Sequence, residues 1–211
     1  MSVETAGLIS SECSPHLESA TFEDLCEVVR GFVRPGMRFL DVGGRHGEWA
    51  HLAEGCEYVA LDIDPGARAP GVIIADITSC PQIESSSFDV VFSCNVFEHL
   101  YEPWSAADEC VRIVKPGGLL AHTAPFAWRY HPVPVDTFRY THEGMRYLFE
   151  RAPRGENGRC ETVLCGYDVQ KRRKDVRGGK LGLLDVPPID ELGGWRENWR
   201  TIYAGRRIAA S

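Results

Sequence analysis

Three aspartates in the first half of the chain stand where each could end a β-strand and face a polar ligand. Asp41 follows an apolar stretch, Asp62 closes a second apolar stretch, and Asp76 closes a third. A carboxylate at the carboxyl end of a strand can accept both hydroxyls of a ribose or the exocyclic amine of a base. Each aspartate alone could be a turn residue, but three at successive strand ends predict a nucleoside-binding edge.

A glycine-rich turn, residues 43–47, follows Asp41 directly. A glycine turn between a strand and a helix start brings backbone N–H groups close to a polar ligand. Dinucleotide-binding turns need the spacing G-x-G-x-x-G, and Arg45 stands where the second glycine belongs. The spacing therefore argues against NAD.

A second group of residues could move a proton. Glu98 and His99 follow a fourth apolar stretch, and His131 and Asp136 lie in a proline-rich segment further along. Either neutral imidazole could accept the proton of a hydroxyl, with Asp136 as the group that orients His131. In the alternative interpretation, Glu98 and His99 only fix a helix start and Asp136 only braces its loop through an ion pair with Arg139.

Alternating strand and helix patterns must position these residues. Short apolar runs bounded by turn residues predict strands at 38–42, 57–61, 72–75, 90–94, 118–123, 161–166 and 200–205. Helical patterns occur at 22–32, 48–53, 105–114 and 141–151, with Thr21 and Thr141 as candidate N-caps. This order predicts an α/β fold with a seven-stranded, mostly parallel sheet flanked by helices, whose last two strands form an antiparallel hairpin at the edge.

The composition narrows the class of protein. Hydrophobic residues make up 44% of the 211 residues and charged residues 25%, which excludes wholesale disorder and fibrous repeats. The net charge of −7 gives no overall attraction to nucleic acid or to an anionic membrane. The eight cysteines show no zinc-ligand spacing, and the N-terminal residues show no signal-peptide or membrane-spanning pattern. We therefore expect a cytoplasmic protein with reduced thiols.

Taken in order, the motifs resemble those of the class I S-adenosylmethionine-dependent methyltransferases, specifically the type 11 group. The resemblance covers about residues 38–149, and its markers are LDVG with Gly47, ALDI, ADI, SFDVV, FEHL and RIVKPGG. It implies a Rossmann-like sheet and S-adenosyl-L-methionine as the cosubstrate. The family's second glycine is replaced by Arg45, so the path of the turn is expected to differ.

The resemblance also implies roles for individual residues. The turn would hold the methionine part of the cofactor, Asp62 the ribose, and Asp76 the adenine between two isoleucines. The residues expected to bind the cofactor are Asp41, Gly43, Gly44, Gly47, Asp62, Ile63, Asp76, Ile77 and Asn95. We expect one domain over residues 1–211, with an N-terminal helical segment at 1–36, a cofactor-binding core at 37–124, and the substrate loop, a helix and the C-terminal hairpin at 125–211.

The expected reaction is methyl transfer to a small-molecule acceptor, a hydroxyl of a sugar or a secondary metabolite. The catalytic candidates are His131, His99 and Asp136, and the loop after the fifth strand offers Phe126, Trp128 and Tyr140 as stacking walls. This loop resembles type 11 members of glycan and secondary-metabolite pathways. No membrane partner is expected, and nucleic acid is disfavoured as a substrate.

Two alternatives stay open. RNA 2′-O-methylation is favoured by the basic run at 171–180 and by the spacing N-x-x-E-H at 95–99, which resembles the magnesium-binding E-x-x-E-H of small-RNA and ubiquinone-pathway O-methyltransferases. Asn95 replaces the first acid, and one carboxylate with one imidazole is a poor set of ligands for Mg²⁺, so the sequence does not predict a metal. The other alternative is a non-catalytic, S-adenosylmethionine-binding regulatory subunit.

Overall fold

The computed structural model describes residues 19–128, 130–151, 158–170 and 198–208. These ranges contain three α-helices, which are α1 (Phe22–Phe32), α2 (Pro103–Ile113) and α3 (His142–Glu150). They contain seven strands, which are β1 (Arg38–Val42), β2 (Glu57–Asp62), β3 (Ile73–Ile74), β4 (Phe88–Cys94), β5 (Val114–Ala127), β6 (Arg159–Gln170) and β7 (Asn198–Ile208). All seven predicted strands are present.

The strands form one sheet in the order β3-β2-β1-β4-β5-β7-β6. Strands β1 to β5 pair in parallel, whereas β7 runs antiparallel to both β5 and β6. The predicted mostly parallel α/β sheet with an antiparallel edge hairpin is therefore confirmed. In this order the carboxyl ends of β1, β2 and β4 lie side by side, where polar residues that follow the strands can face one ligand.

The sheet is buried on both faces, which explains why its strands read as continuous apolar runs. Phe39 and Phe92 point to the face covered by α1, where Leu25 and Val29 are buried. The opposite face carries the larger core, to which α2 and α3 contribute Ile113, Met145 and Phe149. Alternation along each strand thus supplies both cores from the same short segments.

Local sequence signals set the helix ends. Thr21 accepts a hydrogen bond from the backbone N–H of Asp24 at 3.1 Å, while the Asp24 carboxylate accepts the N–H of Thr21, which makes a capping box for α1. Thr141 accepts the N–H of Gly144 at 3.0 Å at the start of α3. Both predicted N-caps are confirmed.

The helix predicted at 48–53 is wrong, because the structure has only a 3₁₀ turn at Ala50–Leu52. Six residues closed by Gly55 are too few to offset the cost of helix nucleation. Trp49 instead packs its ring 5.1 Å from that of Phe22 and 5.7 Å from that of Phe92. Aromatic packing against α1 therefore replaces an α-helix at this point.

Across the described ranges, no helix has the length and apolar character that crossing a membrane requires.

Candidate active site

The glycine turn after β1 follows a path that only glycine adopts easily. Gly43 and Gly47 have φ angles of +79° and +74°, in the left-handed region that disfavours side chains. A Cβ atom on Gly43 would lie 2.3 Å from the Cγ2 atom of Val96, which follows β4. At Gly44 it would lie 2.6 Å from a carboxylate oxygen of Asp41. The turn therefore touches the segment after β4 and leaves no room for a side chain at Gly43 or Gly44.

Asp41 is buried beneath this turn. The Tyr58 hydroxyl donates to Asp41 Oδ2 at 2.5 Å, and Oδ1 has no hydrogen-bond partner among the described residues. Burial raises the pKa of Asp41 to about 7. Tyr58 belongs to none of the sequence motifs. Strand parity could have identified it, because Tyr58 shares a face of β2 with Ala60, which pairs with Asp41.

Arg45 ties the turn to the loop after β2. Its guanidinium lies 2.6 Å from the carboxylate of Asp64, and its carbonyl accepts the backbone N–H groups of Arg68 and Ala69 at 2.9 and 3.1 Å. Asp62 ends β2, and its Oδ1 accepts the N–H of Asp64 at 2.8 Å. The residue that replaces the expected glycine therefore fixes the position of the Asp62 loop relative to the turn.

The residues expected around adenine are unequally exposed. Asp76 lies two residues beyond β3, and its Oδ1 accepts from both the backbone N–H and the hydroxyl of Thr78 at 2.8 Å. Ile63, directly after β2, is 65% exposed, whereas Ile77 is 4% exposed and packs into the core. Contact of these residues with adenine stays a prediction, with Ile63 the more accessible of the two isoleucines.

Asn95 begins the segment between β4 and α2 with a φ angle of +54°. Asparagine tolerates this left-handed conformation better than most residues. Its backbone N–H donates to the carbonyl of Thr123 at 2.9 Å, and its side-chain Oδ1 is buried with no hydrogen-bond partner in the ranges the structure covers. Asn95 thus presents an unused acceptor directly after β4, next to the glycine turn.

Glu98, His99 and His131 form a compact cluster. Glu98 is fully buried, and neither carboxylate oxygen has a hydrogen-bond partner among the described residues. Its Oε1 lies 3.7 Å from His99 Nε2 and 3.9 Å from His131 Nε2. The two imidazole rings meet edge to face, with centroids 5.1 Å apart. The structure thus joins the N-x-x-E-H segment to the proline-rich loop.

Asp136 holds His131 in place. Its carboxylate accepts the backbone N–H of His131 at 2.8 Å, lies 3.3 Å from His131 Nδ1, and forms an ion pair with both terminal nitrogens of Arg139. His99 Nδ1 contacts the carbonyl oxygen of Val135 in the same loop. Asp136 therefore braces the loop and also faces the imidazole, and its role in catalysis stays a prediction.

The cluster combines groups with opposite tendencies to ionise. Burial raises the pKa of Glu98 to about 8 and lowers the pKa of His99 below its usual range. Burial acts against ionisation of Asp136 too, but hydrogen bonds from Arg139 and from the His131 backbone outweigh it and hold the pKa of Asp136 below its ordinary value. Near neutral pH the site therefore keeps an anionic Asp136 and a neutral His99.

The prediction that Tyr140 stacks against the acceptor is wrong. Tyr140 is only 6% exposed, and its hydroxyl donates to the carbonyl of Phe97 at 2.8 Å, so its ring belongs to the core. Phe126 and Trp128 are partly exposed. The structure adds Arg200 of β7, whose guanidinium lies 5.6 Å from the Trp128 ring centroid. No motif marks Arg200 in the sequence, because only strand pairing brings it here.

The basic run 171–180 lies outside the described residues.

Comparison with known proteins supports the family resemblance that the motifs indicate. Residues 40–122 match the family model described as a methyltransferase domain. An uncharacterized methyltransferase of Mycolicibacterium vanbaalenii is 36% identical over 108 residues, which are 46% of this chain and 42% of that protein. Another, from Mycobacterium sp. strain JLS, is 37% identical over 111 residues, or 48% of this chain and 44% of that protein. The chain spans less than half the length of these curated relatives.

Solved structures share the fold at low sequence identity. The YcgJ protein from Bacillus subtilis has a TM-score of 0.62 at 15% identity, covering 88% of this chain and 98% of that one. Phosphoethanolamine N-methyltransferase 2 from Haemonchus contortus, solved with S-adenosyl-L-methionine, has a TM-score of 0.56 at 15% identity, covering 89% and 53%. The [4+2]-cyclase SpnF has a TM-score of 0.58 at 16% identity, covering 88% and 80%. The motifs, the matching family model and the curated relatives therefore agree that residues 40–122 are similar to a methyltransferase domain.

Proposed function

We propose that the chain transfers a methyl group from S-adenosyl-L-methionine to a hydroxyl of a small acceptor, such as a sugar or a secondary metabolite. The observation that carries this proposal is the cluster of Glu98, His99 and His131 beside the glycine turn. A neutral hydroxyl is a weak nucleophile and must lose its proton as the methyl group arrives, whereas a neutral amine or a thiolate needs no such help.

The cofactor would lie across the carboxyl ends of β1 and β2. The turn and the buried acceptor of Asn95 would meet its methionine end, which carries an ammonium group. The carboxylate of Asp62 would accept the ribose hydroxyls, and Ile63 and Asp76 would contact the adenine. β4 neighbours β1 in the sheet, and Gly43 approaches Val96, so the sulfonium methyl group would point toward the histidine cluster.

Chemistry at this site consists mainly of positioning and proton removal. The sulfonium is already a good leaving group, so the protein must hold the acceptor oxygen in line with the methyl carbon. His99 and His131 would act on the acceptor hydroxyl, and Asp136 would keep His131 oriented. Phe126 and Trp128 would border the acceptor.

The test is methyl transfer with radiolabelled S-adenosyl-L-methionine and a metabolite extract, in parallel with an extract digested with ribonuclease. We expect S-adenosylhomocysteine to form, and label to enter a small molecule in both arms. Label that disappears after ribonuclease treatment would instead identify RNA as the acceptor. Cofactor binding without any turnover would favour a regulatory subunit.

Variants separate cofactor binding from acceptor chemistry. His131→Ala and His99→Ala should each lower turnover by about 10²- to 10⁴-fold with little change in affinity for S-adenosylhomocysteine. Asp62→Ala should weaken that affinity by about 10- to 150-fold, the range for a hydrogen bond to a charged group. His51→Ala, an exposed histidine outside the cluster, is the matched control. Near wild-type turnover in both cluster variants would refute activation of a hydroxyl by these histidines.

A further inference from the structure

The distances within the cluster are unusual for a hydrogen-bonded network. Each of Glu98, His99 and His131 offers one ligand atom, and these three atoms all lie within 4.8 Å of one another. The separations of 3.7 and 3.9 Å between Glu98 Oε1 and the Nε2 atoms of the two histidines are too long for hydrogen bonds. Yet Glu98 is fully buried with both oxygens unpartnered among the described residues. A buried carboxyl group whose oxygens make no hydrogen bond is costly in either protonation state, so a further partner is expected in the middle of the cluster.

The contacts of the two Nδ1 atoms also favour a bound partner between Glu98 and the histidines. The Val135 carbonyl can only accept a hydrogen bond, so His99 must carry its proton on Nδ1 and the lone pair on Nε2. His131 Nδ1 faces the carboxylate of Asp136, which Arg139 keeps anionic, and this contact likewise places the His131 proton on Nδ1. In each histidine the lone pair is therefore on Nε2, the nitrogen that lies within 4 Å of Glu98 Oε1. Histidines that bind metals are held in this way by a carboxylate or a backbone carbonyl.

The spacing matches one small ion. Two ligand atoms that each lie about 2.1 Å from an ion are at most about 4.2 Å apart. The two distances from Glu98 Oε1 fall below this limit. The ligand atoms of His99 and His131 lie within 4.8 Å of each other, so these two side chains would have to approach each other by roughly 1 Å to share one ion.

We propose that Glu98, His99 and His131 bind one divalent first-row transition metal ion, with open positions for the acceptor oxygen and water. One carboxylate and two imidazoles suit Mn²⁺, Fe²⁺, Co²⁺ or Zn²⁺, whereas Mg²⁺ prefers oxygen ligands. The sequence motif alone supplies one carboxylate and one imidazole. The second imidazole comes from a loop 32 residues further along the chain, and only the fold brings it to the other two.

The role of this ion in catalysis rests on the proposed function, although its binding does not. An acceptor hydroxyl bound to the ion would have a lowered pKa, so its O–H bond breaks and the proton passes to water. The oxygen lone pair then forms the new C–O bond to the methyl carbon. The electron pair of the broken C–S bond stays on sulfur and gives S-adenosylhomocysteine. Asp136 acts in this scheme as a positioning residue through His131.

The test uses the full chain after removal of metal with a chelator, titrated with Co²⁺ and followed by its visible absorption, with Mn²⁺ and Mg²⁺ titrated by calorimetry. We expect one Co²⁺ or Mn²⁺ per chain and at least about 10-fold weaker binding of Mg²⁺. Glu98→Gln and His99→Ala should each weaken Co²⁺ binding by at least about 100-fold, and Asp136→Asn by about 10- to 100-fold. Glu143→Gln, which alters an exposed carboxylate beside His142, should bind Co²⁺ like the wild type.

The outcomes distinguish the two proposals. Failure of the folded wild-type chain to bind Co²⁺ or Mn²⁺, or equal binding by Glu98→Gln and His99→Ala, would overturn the metal site and leave hydroxyl methylation standing. Stoichiometric binding that these variants abolish supports the site even if no hydroxyl acceptor is found. Circular dichroism of each variant confirms that lost binding reflects lost ligands. If the metal-free chain turns over at the rate of the loaded chain, the proposed catalytic role of the ion is wrong.

Discussion

Replacing Asp41 with asparagine should change how the stability of the protein depends on pH. Burial raises the pKa of this carboxyl from an ordinary value of 3.8 to about 7, with smaller contributions from Glu48 and Asp62, while the Tyr58 hydroxyl acts in the opposite direction. The native state therefore binds a proton between these two pH values when the unfolded state does not. Stability from this group is present at low pH and is lost as pH rises through about 7.

The magnitude follows from the two pKa values. Between about pH 8 and pH 5.5 the native carboxyl changes from about nine-tenths ionised to a few per cent, while the unfolded carboxyl stays ionised. Integrated over this range, the difference stabilises the wild-type protein at the lower pH by about 2 kcal/mol. Asparagine at position 41 cannot titrate, so this gain should be absent from Asp41→Asn. Effects of other titrating groups are common to both proteins and cancel in the comparison.

The assay is urea unfolding of Asp41→Asn and of the wild type at both pH values. The stability difference between the two proteins should favour Asp41→Asn more strongly at pH 8, by about 2 kcal/mol relative to pH 5.5. Tyr58→Phe removes the hydrogen bond that favours the ionised form, so its own pH dependence should be steeper at alkaline pH than that of the wild type. A stability difference that does not change between pH 5.5 and pH 8 would contradict a native pKa of about 7 for Asp41.

Two further changes test the turn and the helix start. Gly43→Ala places a methyl group against Val96 at a positive φ angle, and should lower the free energy of unfolding in urea by about 2 to 4 kcal/mol. Adding Val96→Ala should recover only part of this loss. Complete recovery would show that the backbone conformation costs nothing. Thr21→Ala removes the cap of α1 and should lower the free energy of unfolding by about 1 kcal/mol. Thr21→Ser keeps the hydroxyl and should lower it much less. Equal losses in both variants would show that the hydroxyl does not provide this stability.

Most of the fold could be predicted because burial leaves a direct trace in the sequence. β1 has the predicted bounds, and the two threonine caps lie where the apolar periodicity begins. The segment 48–53 shows where apolar periodicity fails to predict the structure. Its pattern is compatible with a helix, but the packing of Trp49 on α1 is a tertiary interaction that the local sequence does not reveal.

The cofactor side of the site could be anticipated further than the acceptor side. The turn and Asp62 belong to contiguous motifs whose geometry follows from a strand and the loop after it. The contact of His131 with Glu98 depends on the path of a long loop, which neither periodicity nor spacing determines. The sequence does not reveal the burial of Tyr140 for a related reason, because an amphipathic side chain is equally suited to the wall of a binding site and to the core.

The position of β7 has a consequence for synthesis on the ribosome. β7 is the last described strand in chain order, yet it lies inside the sheet, and apart from one bridge at Ser19 it is the only described partner of β6. When β6 leaves the ribosome, roughly 40 residues must still be added before β7 is available, which takes about 2 to 8 s. During that interval β6 and the free edge of β5 are exposed to chaperones and to neighbouring nascent chains.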